Sequence, residues 1–111
     1  MEHKDLTPEQ QAIALDRIAE AASNNDSAMS ALLAMKYEYG LGVPKDFRLA
    51  YKWLKQAAKL GDPWAQFNLG IAYETGRLGN KINLKLALAW FLKADKNGAR
   101  GAAEKVKFYR K

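Results

Sequence analysis

Residues 46–61, DFRLAYKWLKQAAKLG, and residues 83–98, NLKLALAWFLKADKNG, are one pattern written twice. Asp46, Ala50, Trp53, Ala57 and Gly61 recur as Asn83, Ala87, Trp90, Ala94 and Gly98, each 37 positions later. A second matched stretch precedes each copy: Leu33, Tyr37 and Gly40 recur as Leu69, Tyr73 and Gly76, 36 positions on, so the turn after Gly76 holds one extra residue. Ala14 and Ala21 stand 36 positions before Ala50 and Ala57, with Asn25 in the place of Gly61, which extends the series backward by half a unit. A fixed period of this kind marks a repeat architecture, in which one helix pair cannot bury its own apolar face and stability comes from stacked neighbours.

Alanines seven residues apart share one helical face and let a neighbouring backbone approach, while Trp53, Trp90, Tyr37 and Tyr73 fill the wider gaps. On this reading, truncating either tryptophan to alanine costs about 3–5 kcal/mol.

Helix punctuation surrounds the repeats, and nowhere do apolar and polar residues alternate over five or more positions with β-branched enrichment. Thr7-Pro8-Glu9-Gln10 sets a capping hydroxyl, a proline at the first helical position and a glutamine three residues after the cap. It predicts a helix from about Pro8 to Ala22, with Ile13, Leu15, Ile18 and Ala21 or Ala22 as the buried stripe. Asp26 caps a second, from about Ser27 to Tyr39, closed by Gly40. Asp46 caps a third reaching about Leu60, Asp62-Pro63 opens a fourth ending at Gly76, and Asn83 caps a fifth ending near Asn97-Gly98. A last helix is predicted from about Ala99 to Tyr109. The chain thus divides into an opening half-repeat (8–25), two full repeats (26–61 and 62–98) and a C-terminal capping helix (99–111), within a single domain.

A chain of 111 residues, 49% hydrophobic and 27% charged, suits one globular domain and excludes a large multidomain enzyme. Without cysteine there are no disulfides, thiolate-zinc sites or cysteine nucleophiles. The opening MEHKDLTPEQQ lacks the basic patch and apolar core of an export signal. The longest apolar run, Leu86 to Leu92, is seven residues, against about 20 needed to cross a bilayer. A soluble, cytoplasmic protein is expected. The net charge of +6 is uneven: residues 1–40 hold three basic and seven acidic side chains, and the remainder holds fifteen and five. Such asymmetry steers an acidic partner toward the later part of the chain.

The strings GLGVPKDFRLAYKWLKQAAKLGDPWAQ, LGIAYETG and NLKLALAWFLKADKNGA resemble the Sel-one-like repeat, a relative of the tetratricopeptide repeat. The turn Gly40-Leu41-Gly42-Val43 and the stretch Lys52-Trp53-Leu54-Lys55-Gln56-Ala57-Ala58 fit the family pattern, and the likeness runs from about residue 12 onward. Three departures stand out. Leu33-Ala34 lacks the glycine of the family's leucine-glycine pair, Arg17 replaces the tryptophan in the opening half-repeat, and Gly76-Arg77-Leu78-Gly79-Asn80 replaces the usual turn. The resemblance implies an all-α fold, a short right-handed α-solenoid of antiparallel helix pairs with about six helices.

In such a stack the first helix of each pair lines the inner surface. The resemblance therefore places the partner-binding positions at Trp64, Phe67, Ile71, Glu74 and Thr75 in the second repeat, and at Ala28, Ala31, Met35, Glu38 and Tyr39 in the first. Positions 64, 67 and 71 are large and apolar at i, i+3, i+7. That stripe marks either a contact site or, in so short a stack, core covered by the first or last helix. On the outer helices Arg48, Lys52, Lys55 and Lys59 align four cations, Lys85 and Lys96 stand at equivalent places, and Lys105, Lys107, Arg110 and Lys111 follow in the last helix. Nucleic-acid phosphate or an acidic protein fits that face, although no reading motif accompanies it and solvated lysines are the plainer explanation.

Catalysis has little to stand on. His3 is the single histidine and precedes the first helix, Asp26, Asp46 and Asp62 are accounted for as caps, and no phosphate-binding loop occurs. No catalytic, metal-ligating or cofactor-binding residue is assigned, and no enzyme is expected. The expected function is a protein-protein interaction module, an adaptor, regulator or inhibitor, whose inner apolar groove, flanked by Glu38 and Glu74, docks a helix or loop of a protein partner. A toxin-neutralising immunity protein is the alternative, and binding of nucleic acid or acidic protein by the basic outer face is a further one. The chain is expected to be a monomer or weak homo-oligomer, without a cofactor and without a membrane.

Overall fold

Five of the helix starts are fixed by side chains that the sequence marks as caps. The computed structural model describes residues 7–110, so His3 and Lys111 lie outside the described residues. Those residues form six α-helices: α1 (Pro8–Ser23), α2 (Ser27–Tyr39), α3 (Phe47–Lys59), α4 (Pro63–Thr75), α5 (Leu84–Lys96) and α6 (Ala102–Tyr109). The Gln10 amide donates to Thr7 Oγ1 at 3.1 Å, and the Thr7 amide donates to Gln10 Oε1 at 2.9 Å, a reciprocal cap. Asp26, Asp46, Asp62 and Asn83 accept first-turn amides of α2 to α5 at 2.8–3.1 Å.

The last helix departs from its prediction and begins at Ala102 instead of Ala99. Gly98 and Gly101 take φ of 83° and 86°, which breaks the helical path twice before α6. Between α4 and α5 the chain makes one 3-10 turn, Arg77–Gly79, in the segment GRLGN, for which the sequence predicts no helix.

Each helix packs chiefly on its neighbours in sequence, α2 on α3 and α4 on α5 most extensively, giving a stack 51 × 30 × 27 Å in extent. This is the nearest-neighbour packing of a helical solenoid. The repeated alanines Ala50, Ala57, Ala87 and Ala94 are 0% exposed, on the buried faces of α3 and α5. Glutamine amides stitch successive layers: Gln56 Nε2 donates to the Ala22 carbonyl at 2.6 Å, and Gln66 Nε2 to the Ala58 carbonyl at 3.1 Å.

The tryptophans do not hold the deepest positions. Phe91, Leu33, Leu54 and Leu69 are the largest fully buried side chains, whereas Trp53 and Trp90 are half-buried. The residue directly after each repeat tryptophan, Leu54 or Phe91, enters the core, and the indole packs on its edge. The cost of about 3–5 kcal/mol belongs to truncating a fully buried aromatic, so it passes to Phe91.

Candidate partner-binding surface

Trp64 stands in the first turn of α4, just past the Asp62 cap, with 38% of its surface exposed. Two mostly apolar hollows meet at it. One, about 240 Å³, is lined by Ala28, Ala31, Leu32 and Met35 of α2 together with Asp62 and Trp64. The other, about 390 Å³, is lined by Asp62, Pro63, Trp64, Phe67, Ala99 and Arg100. The indole is thus the wall shared by an open apolar trough that runs from α2, across the start of α4, to the turn before α6.

Farther along α4 the helix face is covered. The Phe67 ring lies 5.6 Å from Phe91, and Ile71 joins the same cluster with Val106 of α6. Glu74 is engaged by α6 as well: Lys105 Nζ donates to Oε1 at 2.8 Å and the Tyr109 hydroxyl donates to Oε2 at 2.5 Å. Burial raises the Glu74 carboxyl, but the Lys105 and Tyr109 hydrogen bonds and the Lys105 charge outweigh it and hold the group below its ordinary value. Burial, the hydrogen bond to Glu74 and the carboxylate charge push the Tyr109 hydroxyl up to about 12.

Glu38 is engaged too. Its carboxylate lies 2.9 Å from Arg77 Nε with 11% of the side chain exposed, and Arg77 Nη2 donates to Asn68 Oδ1 at 3.2 Å. Thr75 Oγ1 donates to the Ile71 carbonyl at 2.8 Å, and Tyr39 is 58% exposed at the end of α2. Of the predicted inner positions, the structure therefore brings Ala28, Ala31, Met35 and Trp64 around one hollow and Phe67 to the edge of the next. Ile71, Glu38 and Glu74 instead make contacts within the fold.

Cations gather on the other helix of each pair. Lys52, Lys55 and Lys59 line a hollow of about 340 Å³ with Asn25, Gln56 and Leu60. Lys59 and Lys96 line an adjoining one of about 320 Å³ with Ala58, Gln66, Trp90, Lys93 and Asn97. Arg48 and Lys85 are exposed near the starts of α3 and α5, outside both hollows. Among the described residues, no helix is long and apolar enough to cross a membrane.

Residues 28–62 and 65–98 each match the Sel1 repeat. The chain belongs to the Sel1-repeat family. Its fold is that of a solved Sel1 repeat protein from Oxalobacter formigenes, with a TM-score of 0.82 and 29% identity over 86% of this chain and 71% of that one. It is also 33% identical over 107 residues to the chitin synthase regulator SKT5 of Saccharomyces cerevisiae; the match covers 93% of this chain and 15% of that protein.

Within this Sel1-repeat fold, several lining residues escaped the sequence reading. Leu32 shares the helical face of Ala28 and Met35, so its spacing could have found it. Lys93 follows Trp90 by three positions, and its ammonium lies 4.6 Å from the indole centroid, so the same spacing signals it. Arg100 carries no such mark, because it reaches the trough only through the two-glycine turn before α6.

Proposed function

We propose that this Sel1-repeat chain is a non-enzymatic protein-binding module that docks an apolar helix or loop of a protein partner in the trough on either side of Trp64. The observation that carries the reading is the indole itself, 38% exposed between two apolar hollows. Tryptophan anchors dominate interface energies when a partner desolvates them. Small side chains, Ala28 and Ala31, leave room for an incoming apolar group, while Asp62 and Arg100 supply a polar rim. Membership of a helical-repeat family supports binding over catalysis, and likeness to a protein named as a regulator supports a regulatory use of that binding. Should the partner be a toxin, the same trough makes the chain its immunity protein.

The test is capture of partners from native extract by the wild-type chain, Trp64→Ala, Met35→Ala and the double variant Lys59→Gln/Lys93→Gln. The reading expects one specific partner whose affinity falls about 30-fold or more with Trp64→Ala, the loss typical of an interface hot spot. Circular dichroism should stay helical, and the lysine variant should retain the partner. Unchanged capture by Trp64→Ala contradicts the reading, and collapse of helicity returns Trp64 to the core.

A further inference from the structure

The lysine-lined hollows on α3 and α5 adjoin each other at Lys59, which lines both. Together they present Lys52, Lys55, Lys59, Lys93 and Lys96, and no acidic residue lines either one. The carboxylates that pair with cations in the fold are Glu38 and Glu74, and they hold Arg77 and Lys105. Among the described residues, none of the five lysines forms an ion pair. Three of them are instead positioned by aromatic faces: Lys52 lies 5.0 Å from the Trp53 ring, Lys55 5.1 Å from Tyr51, and Lys93 4.6 Å from Trp90. A cation resting on a ring is oriented without being neutralised, so the positive potential stays available to an incoming anion.

We infer that this track, along the later turns of α3 and α5, docks an acidic polypeptide segment that carries interspersed apolar side chains. The charge sets the sign of the occupant, and the floor sets its kind. Leu60, 41% exposed, and the half-buried Trp90 give each hollow an apolar surface that a run of pure carboxylates would leave unused. Nucleic acid fits less well for two reasons. The cations in the track are all lysines, with no arginine fork for bidentate phosphate contact. The neighbouring rings that would stack bases, Tyr51, Trp53 and Trp90, already carry lysines. Lys59 and Lys96 are repeat equivalents, so an extended segment crossing from one repeat to the next meets the same cation twice.

The surface is separate from the trough at Trp64, and its test is separate as well. A fluorescent peptide of repeating Glu-Glu-Leu is titrated against the full chain at low and moderate salt, beside an all-glutamate peptide and an oligothymidylate of equal charge. The expected order is Glu-Glu-Leu tightest, with binding weakened by salt and reduced about tenfold or more by Lys59→Gln/Lys93→Gln. Lys107→Gln and Trp64→Ala should leave it unchanged, and circular dichroism verifies that each variant is folded. Absence of binding at low salt, insensitivity to the double lysine variant, equal affinity for the all-glutamate peptide, or tighter binding of the oligothymidylate each overturns the inference.

Discussion

A β-carbon on Gly70 would stand 2.6 Å from Cε1 of Phe91, so the bare backbone of α4 is what admits that ring to the core. One repeat earlier the equivalent positions are Ala34 and Leu54, both buried in one cluster. The two repeats thus pair a smaller residue with a larger ring and a larger residue with a smaller side chain. This explains why Leu33-Ala34 dispenses with the glycine of the family's leucine-glycine pair.

Gly70→Ala should therefore destabilise the chain despite alanine's better helix propensity. Overpacking costs about 1–3 kcal/mol and the propensity gain returns at most about 1. Adding Phe91→Leu should recover part of the loss, because it recreates the first repeat's combination. Urea midpoints of the single and double variants check this, and additive effects would show that the two positions do not share the space.

Docking of α6 should weaken at both ends of the pH scale. Glu74 is held below its ordinary 4.5, so its contribution is complete above the usual carboxylate range and fades as pH falls through the lowered value. Tyr109 is held at about 12 against an ordinary 10.0, so its contribution is complete below 10.0 and fades as pH rises through about 12. Amide exchange in residues 102–109 should accelerate in acid relative to α3, and Glu74→Gln should flatten that acid dependence.

Asn25 takes φ of 67°, the left-handed conformation held by its repeat equivalents Gly61 and Gly98 at 102° and 83°. Asparagine tolerates that region better than other residues with a side chain. Asn25→Ala should cost about 1–2 kcal/mol, whereas Asn25→Gly should be neutral or mildly stabilising. Thermal melts of the pair measure the difference.

The features that could be read directly from the sequence are local ones. A cap and its first-turn amides lie within three residues of each other, and the equivalence of Asn25 with Gly61 is a matter of counting, so helix starts and period were both visible. What escaped was decided by segments that return from far along the chain. Phe67, Ile71 and Glu74 share one face of α4 with Trp64, yet whether that face is open depends on Lys105, Val106 and Tyr109, and on a turn of two glycines that sets the angle of α6. The depth of Phe91 relative to Trp90 has the same origin, since it depends on Gly70 in the facing helix. Arg77 reaches Glu38 of α2 from a 3-10 turn that packs on α3 and α4, so the pair depends on a turn far along the chain.

The most direct trial of a docking trough at Trp64 is photo-crosslinking from that position. Trp64 is replaced by the photoreactive aromatic p-benzoylphenylalanine, with Ile13 replaced in parallel as a surface control, since Ile13 is 54% exposed on α1 and not part of a buried stripe as its spacing predicts. A discrete adduct with a single protein from position 64, and none from position 13, is the predicted outcome. No adduct from position 64, or the same adducts from both positions, would contradict the account.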